Sequence, residues 1–219
     1  MARRHSRSED SLRRKNGRKK GAPRILIVCE GEKTETNYFT AIRQERRLSS
    51  ARVRILPSDF GTDPLNVVNY AVDQFLKEGK TFDQVYAVFD RDDHHNFHNA
   101  LNRAAALDKA YRNDAGVLVP FMAVPSVPNF ELWILLHFRD VLASIHRTEV
   151  YAELRKPGVY PAYAKNIATA YEDTKARIAD ATTRAVLLRG LFAPPNGSDP
   201  YTDVDVLAGT ILAIPSAWA

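Results

Sequence analysis

Two carboxylates follow an apolar run at Ile25-Leu26-Ile27-Val28-Cys29: Glu30 and, two residues on, Glu32. A second apolar run, ending at Phe89, is followed by Asp90, Asp92 and Asp93. Carboxylates brought to one point repel one another, so a cation must offset them or some must hold protons. Oxygen-only ligands suit Mg²⁺ or Mn²⁺, and the matching reaction class is metal-assisted chemistry on phosphates. A single acid at a strand end more often caps the next helix or faces solvent. What favours a shared site is the repetition of an acid directly after a fully apolar run. Glu131 is a third candidate. It opens the nearly all-apolar stretch Phe130 to Phe138, and a buried carboxylate there needs a partner. A metal, a lysine or local backbone amides would each serve. His94 and His98 are four residues apart and share one helical face, a zinc-like spacing. Without a third ligand, His95 and His98 read as exposed histidines, and His94 as near enough to the carboxylates to meet a phosphate. Cys29 reads as a buried apolar residue and Gly31 as a turn residue.

The elements that must position these residues alternate. Ile25 to Cys29, rich in β-branched residues, predicts a strand buried on both faces of a parallel sheet. A helix carrying Tyr38, Phe39 and Ile42 follows, with Thr34 or Thr36 as its cap. Arg52 to Leu56 predicts a second strand. Asp63 then caps a helix with Pro64 at its first position, and Gly79 ends it. Gln84 to Phe89 predicts the third strand, about Asn96 to Arg112 a helix, and Gly116 to Val124 a fourth strand. Three strand–helix alternations imply right-handed crossovers and an α/β sheet of about four parallel strands. In such sheets ligands bind beyond the carboxyl ends of the strands, where Glu30 and Asp90 lie. Beyond Pro125 and Pro128 the pattern is helical: Asn129 to Phe138, one long helix over Ala162 to Ala181, and a last helix from Val204 to Leu212.

The +5 net charge is unevenly spread. Residues 1–24 hold ten Arg and Lys against Glu9 and Asp10, a net +8, which leaves −3 for the rest. Residues 1–23 carry almost no large apolar side chain and are expected to form a disordered basic arm, either a nucleic-acid contact or a solubilising tail. The single cysteine excludes a disulfide framework and a cysteine-built metal site. No apolar run approaches the ~20 residues of a membrane span, and no apolar segment backs the basic N-terminus as in a secretory signal. A cytoplasmic protein without membrane contact is the expectation.

Three motifs in order resemble the RloB family: Cys29-Glu30-Gly31-Glu32-Lys33-Thr34-Glu35, Phe89-Asp90-Arg91-Asp92-Asp93-His94, and the stretch from Pro128-Asn129-Phe130-Glu131 to Phe138. RloB proteins are encoded in prokaryotic defence and restriction-modification loci, often beside an ATPase partner, RloA. The first two motifs also resemble the Toprim core of topoisomerases, bacterial primases and overcoming-lysogenisation-defect nucleases. The resemblance covers about Arg24 to Leu212. It implies a Toprim-like core over 24–124 and a helical extension over 125–219 that packs on the core and completes the site. It further implies Glu30 as general acid/base or metal ligand, and Asp90 and Asp92 as metal ligands. Glu131 would be an acidic site residue that joins the metal set, and Lys165, in Tyr163-Ala164-Lys165-Asn166, would balance transition-state charge. The closing segment departs from the family pattern, with Asp199 in place of an asparagine.

The activity implied is Mg²⁺- or Mn²⁺-dependent phosphodiester hydrolysis of DNA or RNA, including tRNA, in anti-phage defence or abortive infection. The partners implied are nucleic acid and an RloA-type ATPase. A non-catalytic alternative uses the same acidic pocket to hold a Mg-nucleotide or nucleic acid and regulate the ATPase. No tyrosine nucleophile supports topoisomerase activity, and no polymerase module supports a primase. Haloacid-dehalogenase phosphatases also use Asp-x-Asp, but after their first strand rather than the third.

Overall fold

The computed structural model describes residues 22–192 and 199–215. The basic arm therefore lies outside the described residues as far as residue 21. At its expected end, Ala22 is buried in the core and its carbonyl accepts a hydrogen bond from Arg52.

Five strands form one sheet in the order β2-β1-β3-β4-β5. They are β1 (Ile25–Cys29), β2 (Val53–Pro57), β3 (Gln84–Asp90), β4 (Phe121–Val127) and β5 (Tyr201–Thr202). The first four run parallel and β5 pairs antiparallel with β4. This is the expected Toprim-like α/β architecture with one more strand than the sequence pattern reveals. A two-residue strand is too short to show alternation.

Alternation along β1 explains its unbroken apolar run. Ile25, Ile27 and Cys29 enter one core and Leu26 and Val28 the other. The second core packs the sheet against α2 (Pro64–Lys77) and α3 (Phe97–Leu107). The first is filled by α1 (Thr34–Glu45) and by helices of the C-terminal half: α4 (Glu131–Leu136), α5 (Arg147–Leu154), α6 (Ala170–Thr174), α7 (Ile178–Leu191) and α8 (Val204–Leu212). The expected division at 124/125 falls inside β4, and β5 comes from the extension. Half of the protein's interior thus depends on residues beyond 125.

Several boundaries differ from the sequence pattern for physical reasons. Asp63 caps α2 as expected, accepting a hydrogen bond from the Leu65 amide at 3.0 Å. Neither Thr34 nor Thr36 caps α1. Lys33 holds the cap position, and Thr36 Oγ1 donates to the Gly31 carbonyl at 2.9 Å instead. The helix expected over Asn96 to Arg112 stops at Leu107, and β4 starts at Phe121 rather than Gly116. Between them the Asn113 side chain accepts from the amides of Ala115 and Val117, which holds 113–117 in a turn. The stretch predicted as helix from Asn129 to Phe138 is regular only over α4. The single helix expected over Ala162 to Ala181 is replaced by turns up to α6, a 3-10 turn at Lys175–Arg177, and α7. Asn166 adopts a left-handed φ of 72°, which a continuous helix forbids. The turns bring Tyr163 inward onto Glu131.

The C-terminal strand and helix are tied back by Arg189, which pairs with both Asp203 and Asp205. Arg189 of α7 donates to both carboxylate oxygens of Asp205 at 2.6 and 2.7 Å, and to the Thr202 carbonyl at 3.0 Å. Asp205 is buried, so removing the guanidinium strands a charge in a low-dielectric site. Arg189→Leu is predicted to destabilise the protein by about 3 kcal/mol, read by denaturant unfolding. A loss within the error of the measurement would show the latch to be dispensable.

Candidate active site

Because β1 and β3 are parallel neighbours, their carboxyl ends lie side by side, with the Glu30 amide donating to the Val88 carbonyl at 2.9 Å. The Asp90 amide in turn donates to Glu30 Oε2 at 2.8 Å, joining residues sixty apart in the chain. β4 then delivers the third acid. Beyond its end, Pro128 and Asn129 lead into α4, whose first residue is Glu131. The loop after β3 is stitched to this segment, the Arg91 amide donating to the Ser126 carbonyl at 2.8 Å and the Asp92 amide to the Pro128 carbonyl at 3.0 Å. Asp92 takes a φ of 35°, a strained value for a residue with a side chain.

Glu30, Asp90, Asp92, Glu131 and Lys165 all line one cavity of about 280 Å³. The sequence reading missed a further wall residue, Glu35, in the first turn of α1. Its signal was present as a second glutamate five residues after Glu30, where an acid in a first helical turn otherwise passes for a response to the helix dipole. Gly31 is more than a turn residue. A Cβ there would stand 2.3 Å from Glu35 Oε2, so a larger residue pushes that carboxylate away. Tyr163 and Tyr151 were missed as well. Tyr163 donates its hydroxyl to Glu131 Oε1 at 2.8 Å, and Tyr151 lines the cavity.

Electrostatics follow from burial. Glu30 is pushed up to about 8, first by desolvation and then by Glu35 and Asp92, with the Asp90 amide partly opposing. Glu35 rises to about 7 through burial and the nearby Glu131, with Lys165 opposing. Asp90 is raised well above the carboxylate range by burial and by its acidic neighbours. Glu131 is raised by burial and partly restored by Tyr163. Asp92 differs: Arg147 donates to its Oδ2 at 3.1 Å, while its Oδ1 is buried without a partner. The same arginine reaches the exposed Asp93 at 3.5 Å. His94 Nε2 lies 3.6 Å from Glu30 Oε1. His95 and His98 are exposed, as the sequence suggested.

An all-carboxylate donor set, mutually repelling and with an orphaned Asp92 oxygen, fits a hard divalent ion in charge and chemistry. Glu30, Asp90, Asp92 and Glu131 would hold it, with Glu35 beside them. Among the described residues no three His, Cys, Asp or Glu side chains are already gathered around one point. Arg147 draws the Asp92 carboxylate outward. Two exposed lysines, Lys33 and Lys165, stand at the cavity wall.

A family model described as RloB-like protein matches residues 25–211. The chain belongs to the RloB-like family. The match takes in the acidic site and every strand of the sheet. No curated protein and no solved structure matches the chain.

The raised carboxylates make the stability of this RloB-like protein depend on pH. Unfolded, Glu30 and Glu35 titrate near 4.5; folded, near 8 and 7. Between those values the folded state holds protons that the unfolded chain has released, so stability falls as pH rises toward 8. The buried His137, lowered from 6.5 to about 4, has the opposite effect, but only below its ordinary value. From pH 6.5 to about 8 the carboxylates therefore dominate. The melting temperature without metal is predicted to fall by several degrees across that window, and saturating Mg²⁺ to flatten the fall. A flat or rising metal-free profile would contradict the assignment.

Proposed function

We propose that this RloB-like protein is a Mg²⁺- or Mn²⁺-dependent nuclease that hydrolyses phosphodiester bonds in DNA or RNA. The observation that carries the reading is Asp90. It is more than nine-tenths buried and lines the cavity, and its carboxylate accepts no hydrogen bond and makes no ion pair among the described residues. The groups nearest it in charge are other acids. A buried carboxylate in that position is costly unless a cation or a proton joins it.

Bound there, a divalent ion supplies Lewis-acid polarisation of a phosphoryl oxygen and a water acidic enough to act as nucleophile. The chain's own residues do the rest. Asp90 and Asp92 supply carboxylate oxygens from either end of one tight turn, and Glu131 supplies another from α4. Glu30, whose carboxylate accepts the Asp90 amide, would serve either as a further ligand or as the acid/base that moves a proton at the reacting oxygens. Tyr163 fixes the Glu131 carboxylate. Lys165 faces the acids as a point charge against the negative charge that builds on a phosphate. The His94 imidazole near Glu30 is a further hydrogen-bonding group at the rim.

The proposed biological setting is action in the cytoplasm, in prokaryotic anti-phage defence, beside an RloA-type ATPase, a reading that the resemblance to RloB proteins supports. No helix among the described residues is long and apolar enough to cross a membrane.

Hydrolysis of DNA, RNA and tRNA substrates with Mn²⁺ or Mg²⁺ tests the reading. Asp90→Asn is predicted to lower the rate by at least about a hundredfold while the metal-free melting temperature holds or rises, because the amide is a neutral near-isostere of a carboxyl that burial and its acidic neighbours already push toward the protonated form. No hydrolysis with either ion, or an undiminished Asn variant, would overturn it. A Mg-nucleotide that binds without being cleaved would turn the reading to a regulatory partner of the ATPase.

A further inference from the structure

A second recess of about 270 Å³ opens beside the acidic cavity and shares two of its wall residues, Tyr151 and Lys165. Its other walls are Thr148 and Arg155. It therefore contains two cations and an aromatic ring, with no carboxylate among the described residues, while the Thr148 hydroxyl is taken up by His146 Nδ1 at 2.8 Å. Neither Arg155 nor Lys165 makes an ion pair among the described residues. Arg155 Nε donates only a long bond of 3.4 Å to the Tyr163 carbonyl, and Lys165 Nζ lies 6.0 Å from the centre of the Tyr151 ring.

The row that builds this recess runs along α5 and ends on its C-cap residue, Arg155. Arg147, Tyr151 and Arg155 recur every four residues, so they share one helix face with steps of about 6 Å along the axis. At one end of the row, Arg147 is engaged by Asp92 and Asp93. In the middle, Tyr151 lines both cavities. At the other end, Arg155 has no counter-charge. Opposite charges are thus segregated into two adjoining recesses: the acidic one fits a cation and the basic one an anion. A phosphate accepts hydrogen bonds from the planar guanidinium fork and from an ammonium, and these two donors are present together.

We propose that the recess formed by Arg155, Lys165, Thr148 and Tyr151 is a phosphate subsite, which holds a backbone phosphate of the substrate strand next to the phosphodiester at the acidic cavity. Calling the occupant part of a substrate strand rests on the nuclease reading. The consequence is a substrate class: a polynucleotide that spans both recesses, rather than an isolated diester or a mononucleotide.

The test is binding of a short fluorescein-labelled single strand, in DNA and RNA forms, to the full chain without divalent ions across a salt series. Arg155→Ala is predicted to weaken binding of both forms about tenfold at moderate salt and to reduce the salt slope by about 0.7, one single-strand phosphate contact. Arg155→Lys, which keeps the charge, retains most of the affinity. Arg103→Ala, which removes the same charge from the exposed face of α3, leaves affinity and slope unchanged. The proposal is overturned if Arg155→Ala binds as the parent does, or if Arg103→Ala loses as much. With Mn²⁺ added, Arg155→Ala is predicted to lose cleavage of the strand but not of bis(p-nitrophenyl) phosphate, which has no flanking phosphate; an equal loss on both would also overturn it. A parent protein that binds as described yet cleaves neither substrate leaves the subsite standing and removes the nuclease.

Discussion

Parallel pairing of β1 with β3 forces Glu30 and Asp90 into one another's company. The backbone offers a single amide, that of Asp90, to relieve Glu30, and that bond does not relieve Asp90 itself. Two further carboxylates, Glu35 and Glu131, close in from α1 and α4 at the same depth. The result is a pocket in which burial and like charge both oppose ionisation, and most of the surrounding architecture can be understood as a response to it. Gly31 leaves room for Glu35, the stitched β3–β4 loops fix Asp92, and Tyr163 turns inward to meet Glu131.

That response comes largely from the C-terminal half. β4 carries α4 into the interior, where all six of its residues are buried. Its carboxylate lines the cavity and is held there by the Tyr163 hydroxyl. The turns between α5 and α6 then supply Tyr163 and Lys165 at the wall, and α5 supplies Arg147 and Tyr151. The first half of the chain provides the strand-end acids and Glu35, and the second adds Glu131 together with Tyr151, Tyr163, Arg147 and Lys165. Neither half makes the site alone.

The sequence made the strand-end acids legible because an apolar run buried on both faces has an abrupt end, and the first polar residue after it is exposed to whatever lies beyond the sheet. Glu30, Asp90 and Glu131 each follow or open such a run. The caps of α2 and the extent of α8 were legible for similarly local reasons. Glu35 was hidden because its spacing fits an ordinary first-turn acid and its burial depends on Gly31, a contact between the loop and the helix. Tyr163 was hidden because its segment, helical by composition, turns at Asn166, and Tyr151 because an aromatic residue within a regular helix shows nothing of which cavity that helix borders. β5 was hidden because two residues carry no period. The Arg147 pairing with Asp92 spans fifty-five positions and leaves no mark in local pattern.

The account stands or falls on whether the buried acids hold a divalent ion. The most direct measurement is anomalous scattering from crystals soaked in Mn²⁺. The predicted result is a manganese peak about 2.0–2.3 Å from a carboxylate oxygen of Asp90, with at least one of Glu30, Asp92, Glu35 and Glu131 also in contact and the Asp92 carboxylate drawn away from Arg147. A pocket that stays free of manganese at saturating ion, with Glu30 and Asp90 keeping their protons, would contradict it.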